Sequence, residues 1–193
     1  MLTFSFLWFT YLGSQIGEEY VAANAILINL VFLSAFILDA YAFSTEGIVG
    51  YSLGKKNLKL FKSVIKNSFL LSSVTGLIIS FLYLFIHEKI IFLMSDIYVI
   101  RTLSSEYSIW LIIIPFISSF CYQFDGIFIG ASQTKELRNA MIFSVFVYLI
   151  ISILLLKFLS NTGIWLSFCI FMILRALSLF YYLDKIYLRF RNI

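Results

Sequence analysis

The chain has 193 residues, of which 62% are hydrophobic, 19% aromatic and only 12% charged, with a net charge of +4. Soluble domains run at about 45–50% apolar and about 25% charged. These proportions, with a mean hydropathy of +0.99, exclude a soluble enzyme or a basic soluble nucleic-acid-binding domain. They indicate an integral membrane protein.

A stretch of about 20 apolar residues crosses a bilayer as a helix. Polar breaks divide the chain into six such stretches, roughly 2–16, 20–50, 64–86, 107–131, 139–159 and 162–183. No run of ten residues alternating in polarity exists to build a membrane β-barrel, so the expected fold is all-α with about six transmembrane helices. One Pro and no Ser/Gly-rich tract leave no linker, so residues 1–193 are expected to be a single membrane domain. The first segment is short and starts at Met1, which reads as a truncated helix. It has no basic flank or small-residue cleavage site, so no signal peptide is expected. Cys121 and Cys169 both fall in apolar runs and form neither a disulfide framework nor a metal motif.

The second segment, too long for an upright span, ends "LDAYAFSTEGIVGYSLGKKNLK". Asp39 and Glu46 are seven residues apart, two helical turns, and share one face. Gly50 and Gly54 follow at G-x-x-x-G spacing, which allows another helix to approach closely. The fourth segment repeats part of this pattern in "FDGIFIGASQTKELRN", with Asp125 before Gly126 and Gly130. Upstream, Pro115 removes a helix hydrogen bond and is expected to kink that helix. In the last segment Arg175 lies ten residues before Lys185, too deep for easy snorkelling.

Ionisable groups inside a membrane cost roughly 2.5–3.5 kcal/mol each on insertion scales and usually face a cavity or a partner. Asp39, Glu46, Asp125 and Arg175 are therefore expected to line a substrate or ion pathway. The alternatives are plain. Asp39 and Asp125 could bond neighbouring helices, Glu46 could be a solvated interfacial residue beside Lys55 and Lys56, and Arg175 reads best as a counter-charge. His87, beside Glu88, reads as a surface residue.

Lys and Arg set orientation. Lys55, Lys56, Lys59, Lys62, Lys66, Lys135, Arg138, Lys185, Arg189 and Arg191 fall on one side by helix parity. The opposite side has Glu18 and Glu19, and a long loop, 87–106, in which Lys89 and Arg101 are offset by acids. The basic side is expected to be cytoplasmic with both termini inside, in a cell inner (plasma) membrane. No H-E-x-x-H, phosphate loop or nucleophile elbow is present, so no catalytic residues, metal site or cofactor are expected.

The pieces "EGIVGYSLGKKNLK", "FDGIFIGASQTKELRN" and "GIWLSFCIFMILRALSL", in that order, resemble the C-terminal half of MATE (multidrug and toxic compound extrusion) transporters of the DinF-like branch. The resemblance runs from about residue 8 to residue 184. It implies one six-helix lobe of a twelve-helix secondary transporter. Such a transporter exports organic cations, drugs or metabolites in exchange for H⁺ or Na⁺ by alternating access. The partners implied are the bilayer, a small organic substrate and an N-terminal lobe that is encoded separately or missing, with no nucleic acid. The family's best-known coupling carboxylate lies in that other lobe, so no residue here inherits its role. A lipid-linked precursor flippase would want a basic cavity, whereas here three acids face one Arg. A non-transporting membrane subunit or truncated gene product is the rival from a different class.

Overall fold

The computed structural model describes residues 2–191; Met1, Asn192, Ile193 and the side chains of Arg189 and Arg191 lie outside the described residues, so the two tail arginines of the basic side are not among them. The helices are α1 (Leu2–Ser14), α2 (Glu18–Gly54), α3 (Leu58–Met94), α4 (Tyr98–Glu106), α5 (Ile109–Gly130) and α6 (Thr134–Arg191). In hydrocarbon every backbone N–H and C=O must be satisfied within its own segment, which is why apolar sequence resolves into helix. Four of these helices, α2, α3, α5 and α6, are long and apolar enough to cross a membrane.

The 58 residues of α6 do not form one rod. Ser160 departs from helical geometry at φ 51°, ψ −131°, and the chain folds back there. Tyr148 packs on Phe171 at 5.3 Å, and Lys185 Nζ bonds Glu136 Oε1 at 3.2 Å. Gly163 lies against the Leu155 carbonyl, where a Cβ would collide. Each pair is nearly equidistant from Ser160, as an antiparallel hairpin requires. Its two arms correspond to the fifth and sixth expected spans. With α2, α3 and α5 they make five segments long enough to cross, whereas the 13 residues of α1 reach only about 20 Å, short of a hydrocarbon core of about 30 Å.

α2 and α3, 37 residues each, are about 56 Å long, nearly twice a hydrocarbon core of about 30 Å. Tilt alone does not absorb that excess, so their ends project into the interface. The stretch 87–106, expected as an outer loop, is corrected here: α3 continues through His87 to Met94 and α4 occupies most of the rest. Ile90, Ile91 and Phe92 extend the apolar pattern with no Gly or Pro to stop it. Arg101 then closes the helix end. Its guanidinium bonds the carbonyls of Ser95 and, at 3.0 Å, Phe92, and lies 3.7 Å from the Phe92 ring. A cation there also suits the negative end of the helix dipole. His87 contacts the Tyr83 carbonyl of its own helix.

α5 is the central helix: 61% of its apolar window is buried, against 28% for α3. α1 is wedged between α2 and α6 by Phe6 on Phe32, Phe9 on Trp165, and a Trp8 Nε1 bond to Ser152 Oγ at 2.9 Å. The ends of α2, α3, α5 and both arms of α6 meet around Val49, Phe61, Phe128, Ala140 and Ile186. Lys55, Lys56, Lys59, Lys62, Lys66, Lys135, Arg138 and Lys185 are therefore gathered at one end of the bundle.

Two turns at that basic end share one design. After Gly54, Lys56 adopts φ 54° and Asn57 N–H bonds the Ser52 carbonyl; after Gly130, Ser132 adopts φ 54° and Gln133 N–H bonds the Phe128 carbonyl. These are Schellman-type endings, in which a left-handed residue satisfies the last carbonyls.

Candidate functional site

Hydrocarbon supplies no hydrophobic force between helices, so close contact and polar bonds hold them together. On α5, Gly126 sits on the Ala42 backbone and Gly130 on the Glu46 backbone of α2. Gly50 belongs to the same contact, where a Cβ would lie 3.4 Å from the Gly130 carbonyl oxygen, whereas a Cβ on Gly54 would meet no neighbour within 4 Å, so Gly54 serves only the helix end. A further close approach joins α3 to α5: a Cβ on Gly76 would lie 2.9 Å from the Pro115 carbonyl. Gly76 was not singled out from the sequence, although Ser72 and Gly76 have the small-xxx-small spacing that marks such contacts.

That packing aligns the charged residues. Asp125 of α5 and Arg175 of α6 form an ion pair through Oδ2 and Nη2, with side chains only 15% and 7% exposed. Asp39 of α2, half-buried, is within electrostatic reach of both. Cys121 and Tyr122 lie beside the same charges. The structure thus brings three of the four expected pathway residues into one cluster with two acids and one base. Glu46 is set apart, half-buried in an open groove of about 540 Å³ with Phe43, Gly47, Gly130 and Ser132.

The cluster has spare bonding capacity. Among the described residues, Asp125 Oδ1 and Arg175 Nε and Nη1 are buried without hydrogen-bond partners. Gln123, two residues before Asp125 on another face of α5, accepts through Oε1 from Thr45 Oγ1 at 2.9 Å, linking α5 to α2. A buried donor or acceptor left unmade costs about 1–3 kcal/mol, so such a set persists where something polar can enter. A separate cleft of about 520 Å³ lies between α3, α5 and α6, lined by Phe69, Phe116, Phe120, Phe124 and Phe180. Its wall is almost wholly aromatic and aliphatic.

At the other end, Asn24 and Asn161 bond amide to amide at 2.7 and 3.1 Å, and Trp165 Nε1 donates to Asn24 Oδ1 at 2.9 Å. This buried network ties α2 to the α6 reversal. Neither Asn carries any local signal of its partner, which is 137 residues away.

A multi-pass helical bundle with ionised groups in its interior defines a membrane protein built around a polar interior site. The MatE family model matches residues 1–156, and the chain belongs to this family of membrane transporters. Over 170 residues it is 34% identical to DNA damage-inducible protein F of Escherichia coli (strain K12), a match covering 88% of this chain. The chain spans 37% of the length of that relative.

Proposed function

We propose that this chain forms the C-terminal lobe of a DinF-like secondary transporter that exports organic cations, drugs or metabolites in exchange for H⁺ or Na⁺. The buried cluster of Asp39, Asp125 and Arg175 carries this reading. Arg175 holds one oxygen of Asp125 and leaves the other free. With both acids ionised the cluster has an excess of one negative charge, which a coupling cation would neutralise. Competition between that cation and a cationic substrate for the same acids couples their movements. Alternating access then comes from one lobe rocking against another around the site, so a second lobe is part of the working protein. The basic end lies on the cytoplasmic side of an inner membrane, following the excess of Lys and Arg, and both termini are inside.

The test is efflux of a fluorescent organic cation from proteoliposomes containing this chain and a co-expressed N-terminal lobe, under imposed H⁺ or Na⁺ gradients. Gradient-driven efflux that is lost in Asp39→Asn, which leaves the Asp125–Arg175 pair intact, with normal membrane accumulation of the variant, is the expected result. Efflux indifferent to both gradients and to Asp39→Asn would refute the proposal. For orientation, a Cys in place of Lys59 should resist an impermeant thiol reagent in intact cells while one in place of Ser95 reacts; the reverse pattern inverts the topology.

A further inference from the structure

A second polar feature lies between α2 and α3, at the basic end. It is a groove of about 310 Å³ lined by Tyr41, Ser44, Ile48, Ser63, Asn67 and Leu71, among others. In volume it holds roughly ten water molecules. We propose that this groove binds the phosphate headgroup of an anionic membrane phospholipid.

Depth is the first support. Along α3 the sequence is polar and charged as far as Lys66 and Asn67, then turns apolar at Phe69, Leu70 and Leu71. The groove spans this boundary, where headgroups give way to acyl chains. Its donors are the second. Tyr41 OH accepts from Thr75 Oγ1 at 2.9 Å and keeps its own proton to donate. Asn67 Nδ2 makes only a long 3.4 Å bond to Ser63 Oγ, one that a phosphate oxygen can replace at shorter range. Ser44 is exposed at the groove's edge.

Charge is the third support. Lys59, Lys62 and Lys66 are exposed on the first turns of α3, and Lys55 and Lys56 form the adjoining turn. No carboxylate lines the groove, and Glu46 lines the other one with Gly130. None of these lysines lines the groove; they surround its basic end and attract an anion through their field, as juxtamembrane lysines do. Finally, toward the bilayer centre Leu33 and Ile37 of α2 and Leu71, Val74 and Ile78 of α3 are exposed. They offer an apolar surface for an acyl chain, which a free phosphate lacks. The site is independent of transport and does not rest on the function proposed above.

Native mass spectrometry of the full chain in mild detergent tests it, with phosphatidylglycerol and phosphatidylcholine added in equal amounts. Phosphatidylglycerol should be retained in preference. Lys59→Gln, beside the lining Leu60 on α3, should weaken retention about fivefold, and Ser63→Leu/Asn67→Leu should abolish it by filling the groove. Lys135→Gln, at the same end but on α6, should leave it unchanged. Equal retention of the two lipids would overturn the proposal. So would a loss in Lys135→Gln as large as in Lys59→Gln, or displacement of the lipid by inorganic phosphate alone.

Discussion

Replacing Gly126 with Ala tests whether the contact between α2 and α5 holds the site together. A Cβ at this position would lie 2.9 Å from the Ala42 carbonyl carbon and 3.0 Å from its Cα, and closer still to its oxygen. Carbon atoms rest comfortably at about 3.5–4.0 Å. The obstacle is backbone rather than a flexible side chain, so the two helices must part by roughly 0.5–1 Å. Overpacking of this kind costs about 1–3 kcal/mol, and the better helix propensity of Ala returns up to about 1 kcal/mol. Because the clash is with backbone, the net loss falls at about 1–2 kcal/mol. For a chain of this size that lowers Tm by about 2–8 °C. Cys121 and Cys169 are free and buried, so a thiol-reactive fluorogenic dye reports melting in detergent directly. Gly50→Ala, with 3.4 Å of room, should melt close to the parent protein, and Gly54→Ala, with nothing within 4 Å, should match it. If Gly126→Ala melts like the parent, or Gly54→Ala falls as far as Gly126→Ala, the close helix contact is not what stabilises the lobe.

Removing one partner of the buried ion pair strands the other, so Arg175→Gln should cost about 3–5 kcal/mol. Asp125→Asn/Arg175→Gln should melt above Arg175→Gln alone, and simple additivity of the two single losses would disprove the pairing. Asn24→Ala leaves both Asn161 amide groups and the Trp165 Nε1 without their partner, a loss of about 2 kcal/mol or more. Asn24→Leu/Asn161→Leu, which removes both amides while keeping the volume, should melt above it in the same dye assay; a lower Tm for the double variant would count against the network.

The sequence alone determined the all-helical membrane fold, the approximate spans and the basic end. Those properties are local: a segment in lipid must satisfy its own backbone, and hydropathy is read residue by residue. The repeated G-x-x-x-G spacing of Gly50 and Gly54, and of Gly126 and Gly130, was also legible; that both helices end in the same kind of turn was not, because the left-handed residues there are Lys56 and Ser132 rather than glycines. The tertiary structure alone decided which polar groups meet. Asp125 finds Arg175 fifty residues on, Asn24 finds Asn161 across most of the chain, and Glu46, two turns from Asp39, joins neither. The same face of α2 that groups Asp39 with Glu46 along the sequence meets different neighbours: Asp39 lies within reach of Asp125 and Arg175, whereas Glu46 lies two turns on, at the end of α5 beside Gly130 and Ser132. The rotation of a helix about its axis, and the partner it meets, depend on neighbours distant in sequence. The helix through 87–94 is by contrast a local matter: Ile90, Ile91 and Phe92 carry it on, and Arg101, a few residues later, closes its end.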